Sequence, residues 1–274
     1  MTLASTWAET PGVGARRRVV ANALWAGGLV VVGGLFSGST AATSADSASG
    51  FGVLWQQHVV GAVTAQPVRI GTTLVVATNA DEVYGLSTDG GSVLWNRHLG
   101  QPEPAGLGLP IDCANVAPQL GVLSTPAVDE AHGIVYAVSR EWDGRSAATA
   151  AWRTHALNAT DGREMPGWPV TLTGLADNAP GTPFDPVHSL QRAGIMLLDG
   201  HLMVAFAGIC DRQPYRGWLV SLNSTTRKQV LWTDEPTGLS AAAGPGGGFG
   251  RADAHRSATI RTNSWWKVAT ARAH

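Results

Sequence analysis

Charge is what this sequence has least of. Asp, Glu, Lys and Arg make up 14% of it, against about 25% in an average soluble protein. Lysine occurs only at Lys228 and Lys267, and the formal net charge is −1. A near-neutral chain offers no basic surface for a phosphate polymer, so nucleic acid is not an expected partner. Two cysteines exclude a disulfide-dense miniprotein. The 34 glycines in 274 residues follow no three-residue period, which excludes a collagen. After residue 50 there is no sustained helical period, which leaves an all-β chain.

One long hydrophobic run is present. Arg16, Arg17 and Arg18 precede an uncharged stretch from Val19 to Phe36, followed by small residues through Ala45. Basic charge before an apolar run reads as an export segment. Residues 1–18 form the basic, cytoplasmic n-region, 19–36 a signal-peptide h-region or a membrane anchor, and 37–50 a small-residue linker. Thr43 and Ala45 resemble positions before a cleavage site, and Arg16–Val20 loosely fits a twin-arginine pattern. The rest of the chain is then expected outside the cytoplasm, extracellular or in the cell envelope. In an oxidising space Cys113 and Cys210 are a disulfide candidate closing a loop of about a hundred residues, a bond of about 3–5 kcal/mol; buried thiols are the alternative.

From Phe51 the pattern is short apolar runs divided by turn residues. Leu74–Thr78, Glu82–Leu86 and Ser92–Asn96 are β-rich runs separated by Asn79-Ala80-Asp81 and by Thr88-Asp89-Gly90-Gly91, which describes an antiparallel meander. The meander recurs at 133–170 and at 200–232. Leu86, Leu157 and Leu222 hold equivalent places, followed by Trp95, Trp168 and Trp232; Leu54-Trp55 precedes Leu94-Trp95 by one blade length. The spacing demands insertions at 141–151 and 174–188. At a fixed place on each outer strand, Trp55, Trp95, Trp168 and Trp232 are expected to pack between neighbouring units, and the three leucines to pack inside them.

Val83-Tyr84-Gly85-Leu86 with Asp89-Gly90-Gly91 and Leu94-Trp95, and again His155 to Glu164, resembles the pyrroloquinoline-quinone-type (PQQ-like, quinoprotein-like) β-propeller repeat. Asp112-Cys113, Gly121–Asp129, Phe184-Asp185-Pro186 with Gln191-Arg192, and Gly208–Asp211 with Pro214–Trp218 are similar to a subset of exported bacterial propellers of unassigned activity. The resemblance implies an all-β propeller over residues 51–250 with three to four recognisable blades, incomplete as a ring. It covers both quinoprotein alcohol dehydrogenases and non-enzymatic exported propellers, including outer-membrane assembly lipoproteins.

The dehydrogenase branch implies eight blades, a quinone stacked between a Trp and an adjacent-cysteine disulfide ring, a calcium ion and an Asp base. This sequence has no Cys-Cys pair. The histidines show no zinc spacing, Ser124 lacks a nucleophile elbow, and Gly244–Gly250 lacks the lysine of a phosphate-binding loop. No catalytic, cofactor-binding or metal-ligating residue is assigned; Asp185 with Arg192 is set down as a polar inter-blade pocket, with a structural ion pair or a turn as the favoured alternative. Residues 251–274 form a basic, non-repeat tail, expected to derive from a frameshift or truncation near 240–250. The expected function is an exported scaffold or binding module for an envelope protein or glycan, with no cofactor. The alternative is the N-terminal part of an alcohol or sugar dehydrogenase using PQQ with calcium. An incomplete ring also implies an oligomer to close it.

Overall fold

The computed structural model describes residues 18–23, 29–36, 50–105, 118–209 and 216–234. All regular structure in them is β, apart from one 3-10 turn at Ala147–Thr149. β1 (Arg18–Ala23), β2 (Leu29–Phe36) and β3 (Gly50–His58) form an antiparallel sheet in chain order. The next sheet runs β4 (Val68–Ile70), β5 (Thr73–Ala77), β6 (Glu82–Ser87) and β7 (Val93–His98). A short hairpin, β8 (Glu103–Pro104) with β9 (Gln119–Leu120), leads to a sheet of β10 (Ala127–Asp129), β11 (Ile134–Glu141), β12 (Ala151–Asn158) and β13 (Val170–Thr171). In the last sheet β14 (Ser189–Leu190) and β15 (Met196–Leu198) both pair with β16 (His201–Gly208), followed by β17 (Trp218–Asn223) and β18 (Gln229–Thr233).

Every strand pairing is antiparallel, and all but β14 with β16 join consecutive strands, which is the meander predicted from the turn chemistry. The short first strands β4, β10 and β15 neighbour one another, so the sheets radiate from a common inner edge and stack face to face as propeller blades do. We call the sheets beginning at β4, β10 and β14 the first, second and third blades. The expected insertion at 141–151 lies between β11 and β12, and that at 174–188 lies between the second and third blades.

Alternation along each strand divides the core into seams. Leu74, Val76, Tyr84 and Leu86 pack with Leu54 and Trp55 of β3. The opposite face of the first blade, with Val75, Ala77, Val83 and Trp95, packs against Val135, Ala137 and Leu157 of the second. Tyr136, Val138 and Trp152 then meet Val204, Phe206, Trp218 and Leu222 of the third. Leu86, Leu157 and Leu222 are all fully buried, each facing the preceding sheet.

The stretch 19–36 read as an export segment coincides with β1 and β2, where β1 pairs with β2 and β2 with β3; residues 24–28 within it lie outside the described residues. Val30-Val31-Val32 and the glycines around them suit a strand as well as an h-region, because β-branching favours extended backbone. No helix among the described residues is long and apolar enough to cross a membrane. Cys113, Cys210 and the tail 251–274 lie outside the described residues.

Candidate functional site

The repeated tryptophans are the ties of the stack. Trp55 donates its indole N–H to Thr88 O at 3.1 Å, and its ring fills the space beside Gly91. Trp95 donates to Ala159 O at 2.9 Å and lies against Gly162. Thr88 stands three residues before Gly91 as Ala159 stands before Gly162, so the same turn receives the same ring in successive sheets. The two glycines have φ of +71° and +70°, and a Cβ on either would lie within 2.5 Å of the indole. The third blade uses Arg227 at this turn, also at positive φ (+62°). Its Nη2 donates to Pro166 O at 2.6 Å and its guanidinium lies 6.0 Å from the ring of Trp168, which also sits 5.6 Å from Tyr136. Trp232 is half-buried on the far face of the third blade, opposite Leu219.

Two buried polar groups that the repeat pattern does not reveal lie at the end of β11. Ser139, Arg140 and Glu141 alternate, so Ser139 and Glu141 enter the seam with the first blade while Arg140 enters the seam with the third. In the first seam His155 is almost fully buried, its Nε2 2.9 Å from Glu141 Oε1 and its Nδ1 2.8 Å from Glu164 Oε2. A carboxylate only accepts, so both nitrogens donate when both acids are ionised and His155 is an imidazolium. Burial opposes that charge, yet the hydrogen bonds and charges of Glu141 and Glu164 outweigh it and raise the His155 pKa. Burial likewise pushes Glu141 up, but His155 and Arg153 together hold it below its ordinary value. Arg153 Nη1 pairs with the second oxygen of Glu141, and Glu164 Oε1 accepts from Ala156 N at 2.9 Å.

Asp81, in the β5–β6 turn at φ +57°, is fully buried with both carboxylate oxygens lacking a hydrogen-bond partner. Burial, with the charges of Glu141 and Glu82 added, raises its pKa well above the usual carboxylate value; the nearby Val122 amide opposes this only in part.

In the second seam Arg140 is fully buried. It donates from Nε to Glu103 Oε2 and from Nη1 to Pro186 O, and its Cζ lies 5.4 Å from the Trp152 ring. Trp152 Nε1 donates to Ser189 O at 3.0 Å. Arg140 Nη2, Glu103 Oε1, Gln191 Oε1 and Ser124 Oγ are buried without partners. β8 therefore supplies, from the short hairpin between the first two blades, the counter-charge of an arginine on β11.

Of the readings given to Asp185 and Arg192, the geometry at Asp185 is that of a turn. Asp185 Oδ1 accepts from the amides of Val187 and His188 at 2.9 and 3.2 Å, and Oδ2 lies 2.6 Å from His188 Nδ1. Arg192 is exposed beyond β14, with no ion pair to Asp185 among the described residues. Asp185 acts as a turn cap.

The loops that enter the inner strands are laced together: Gln66 N donates to Thr125 Oγ1 at 3.2 Å, and Ile195 N to Thr125 O at 3.0 Å. Segments 63–66, 121–126 and 191–195 are thereby tied together, mostly buried, with Gln66, Arg192 and Gly194 reaching the exterior. Among the described residues no three His, Cys, Asp or Glu side chains are placed to hold one cation. The rings of Trp55 and Trp95 are spent in seams.

No family model matches the chain, and no curated protein matches it. Solved structures similar to it include BamB from Moraxella catarrhalis, at 16% identity and a TM-score of 0.40, covering 80% of this chain and 60% of that one. A europium-containing methanol dehydrogenase is similar at 11% identity and a TM-score of 0.49, covering 80% of this chain and 40% of that one. Quinohemoprotein alcohol dehydrogenase from Comamonas testosteroni follows at 19% and 0.39, covering 63% and 21%. The chain thus spans less than two thirds of the length of each.

Proposed function

We propose that this chain is an exported propeller scaffold of the cell envelope whose laced loop end binds a protein or glycan partner. The observation that carries the reading is that lacing: Gln66, Thr125 and Ile195 join the entry loops of three successive blades through hydrogen bonds of 3.0 and 3.2 Å. Loops held rigidly at one end of a β scaffold present a preorganised surface, and exposed Gln66 and Arg192 give it polar contacts. The buried charges of β11 serve the seams beneath it. Residues 19–36 are read as the export or anchoring element.

A disulfide between Cys113 and Cys210 belongs to the same reading. Ala105, Leu120, Leu123 and Ile209 form one small cluster, so the segments that carry the two cysteines leave from a common point. Such a bond would tie the loop end across blades.

The test is a binding isotherm of the purified full chain against purified envelope glycan, with dye-linked oxidation of alcohols and aldoses after addition of PQQ and calcium as the second arm. Saturable binding weakened about tenfold by Gln66→Ala with Arg192→Ala supports the reading. Quinone-dependent dye reduction would overturn it in favour of the dehydrogenase alternative.

A further inference from the structure

We infer that the seam between the second and third blades holds one internal water molecule, bound as a structural ligand by Arg140 Nη2, Glu103 Oε1 and Gln191 Oε1, so that three segments of the chain are keyed to one point. The inference goes beyond partner binding and does not rest on it.

The three groups reach this seam from three segments. Pro102 forms an antiparallel bridge with Glu141, and Glu103 lies opposite Leu120, so the β8–β9 hairpin runs beside the end of β11. Arg140 N donates to Gly121 O at 3.4 Å across the same junction. The Arg140 side chain crosses into the seam with the third blade, where its Cζ lies 5.4 Å from the Trp152 ring and its Nη1 3.4 Å from Ser189 O. Ser189 and Leu190 pair with Gly208 and Ala207, and continuing that register sets Gln191 opposite Phe206. Opposite residues of an antiparallel pair share a face of the sheet. The Phe206 ring meets the same Trp152 ring at 5.6 Å, so Gln191 enters the seam from the third blade as Arg140 enters it from the second. Arg140, Glu103 and Gln191 are all fully buried.

The chemistry of the occupant follows from what these side chains leave unused. Arg140 Nε and Nη1 are engaged by Glu103 Oε2 and Pro186 O, and Gln191 Nε2 donates to Ala193 O at 2.5 Å. Unsatisfied among the described residues are one donor, Arg140 Nη2, and two acceptors, Glu103 Oε1 and Gln191 Oε1, with the Ser124 hydroxyl as a fourth group. Nη2 lies on the Nε–H side of the guanidinium, and Oε1 shares its carboxyl carbon with Oε2, so the donor and the first acceptor are neighbours across the ion pair. A direct bond between these two would leave the Gln191 oxygen a buried acceptor without a donor. The charges of Arg140 and Glu103 offset each other; a cation would meet the guanidinium and an anion the carboxylate, which selects a neutral occupant. Water matches the set. It accepts from Nη2 and donates to both oxygens, which makes the about three hydrogen bonds typical of a buried water. Its second lone pair is left for the Ser124 hydroxyl, carried on the loop whose Thr125 O accepts from Ile195 N at 3.0 Å.

The experiment is oxygen-17 magnetic relaxation dispersion on the purified full chain, which counts water molecules held for longer than the protein takes to tumble, together with a crystal structure at a resolution that shows ordered water. The expected density is a single water within about 3.2 Å of Arg140 Nη2, Glu103 Oε1 and Gln191 Oε1. Gln191→Met keeps the side-chain length and removes the acceptor; it is expected to lower the dispersion amplitude by one water while the near-ultraviolet circular dichroism of the packed tryptophans is kept. Leu94→Ser, at an exposed position on β7, is expected to leave the amplitude unchanged. A direct bond from Arg140 Nη2 to Glu103 Oε1 with no water between Nη2 and Gln191 would overturn the inference, as would a folded Gln191→Met protein with the parental amplitude. Should that variant lose its fold, the crystal structure of the parent decides alone. Glycan binding is read in a separate assay and does not depend on this water, so the functional reading and this one fail separately.

Discussion

Shortening Trp95 to phenylalanine removes one indole N–H from the seam between the first two blades and leaves a six-membered ring in its place. Ala159 O then loses its donor at 2.9 Å, and a buried acceptor without a partner costs about 1–3 kcal/mol. Trp95→Ala removes the ring as well and should cost about 3–5 kcal/mol. The partner side of the same contact is Gly162. Its Cβ position lies 2.5 Å from the indole Cε3, and its φ is +70°. Gly162→Ala therefore combines an unfavourable left-handed backbone with overpacking, about 2–5 kcal/mol in all. Only the overpacking depends on Trp95. The double variant Trp95→Ala with Gly162→Ala should accordingly be less damaged than the separate losses imply, by about 1–3 kcal/mol. Urea unfolding followed by far-ultraviolet circular dichroism measures all four corners of the cycle. Additive losses, or a Trp95→Phe protein within about 0.5 kcal/mol of the parent, would refute the claim that this ring seated on this turn holds the blades together.

Three further outcomes follow from the buried charges. His155 has a raised pKa in the folded chain, so its stabilisation is complete below its ordinary unfolded value near 6.5 and disappears as pH rises through the folded value; His155→Gln should flatten the dependence of the urea midpoint on pH over that interval. Asp81 is raised as well, so the folded chain loses stability as pH climbs from about 3.8 through the folded value. Asp81→Asn should remove this slope and match or exceed the parent at neutral pH, measured by the same midpoints; a large loss at neutral pH would show that the ionised carboxylate is required. Arg140→Met leaves Glu103 buried without its partner and should cost about 3–5 kcal/mol, of which Arg140→Met with Glu103→Gln recovers a substantial part, read by thermal and urea unfolding.

The repeat was legible because it is built from local pattern. Leu86, Leu157 and Leu222 fall in register with the turns that follow them, and the structure buries all three against the preceding sheet. The insertions at 141–151 and 174–188 were legible as excess spacing. The inner strands were less so: β4, β10 and β15 have three residues each, too few for an alternation to register. The buried polar groups left almost no trace. Ser139-Arg140-Glu141 looks like the solvated end of a strand. The partners of Arg140 lie 37 and 46 residues away, and one is a backbone carbonyl. Its one readable sign was a charged pair at a strand terminus bordering an insertion, which many exposed strands share. Asp185 and Arg192 were joined by proximity in sequence, whereas Asp185 is held by the amides of its own turn and by His188.

The forward direction of the tryptophan ties has a consequence for how the chain acquires its structure. Trp55 reaches a carbonyl 33 residues ahead, and Trp95 one 64 residues ahead. A blade is therefore completed only when the turn of its successor has been made. For a chain that emerges from its amino end, each new meander secures the one before it, while the newest always presents an unsecured apolar face. Nearest-neighbour terms accumulate along the stack as in other repeats, and during synthesis a seam forms only once its second meander has emerged. The segment most in need of shelter during biogenesis is always the one synthesised last.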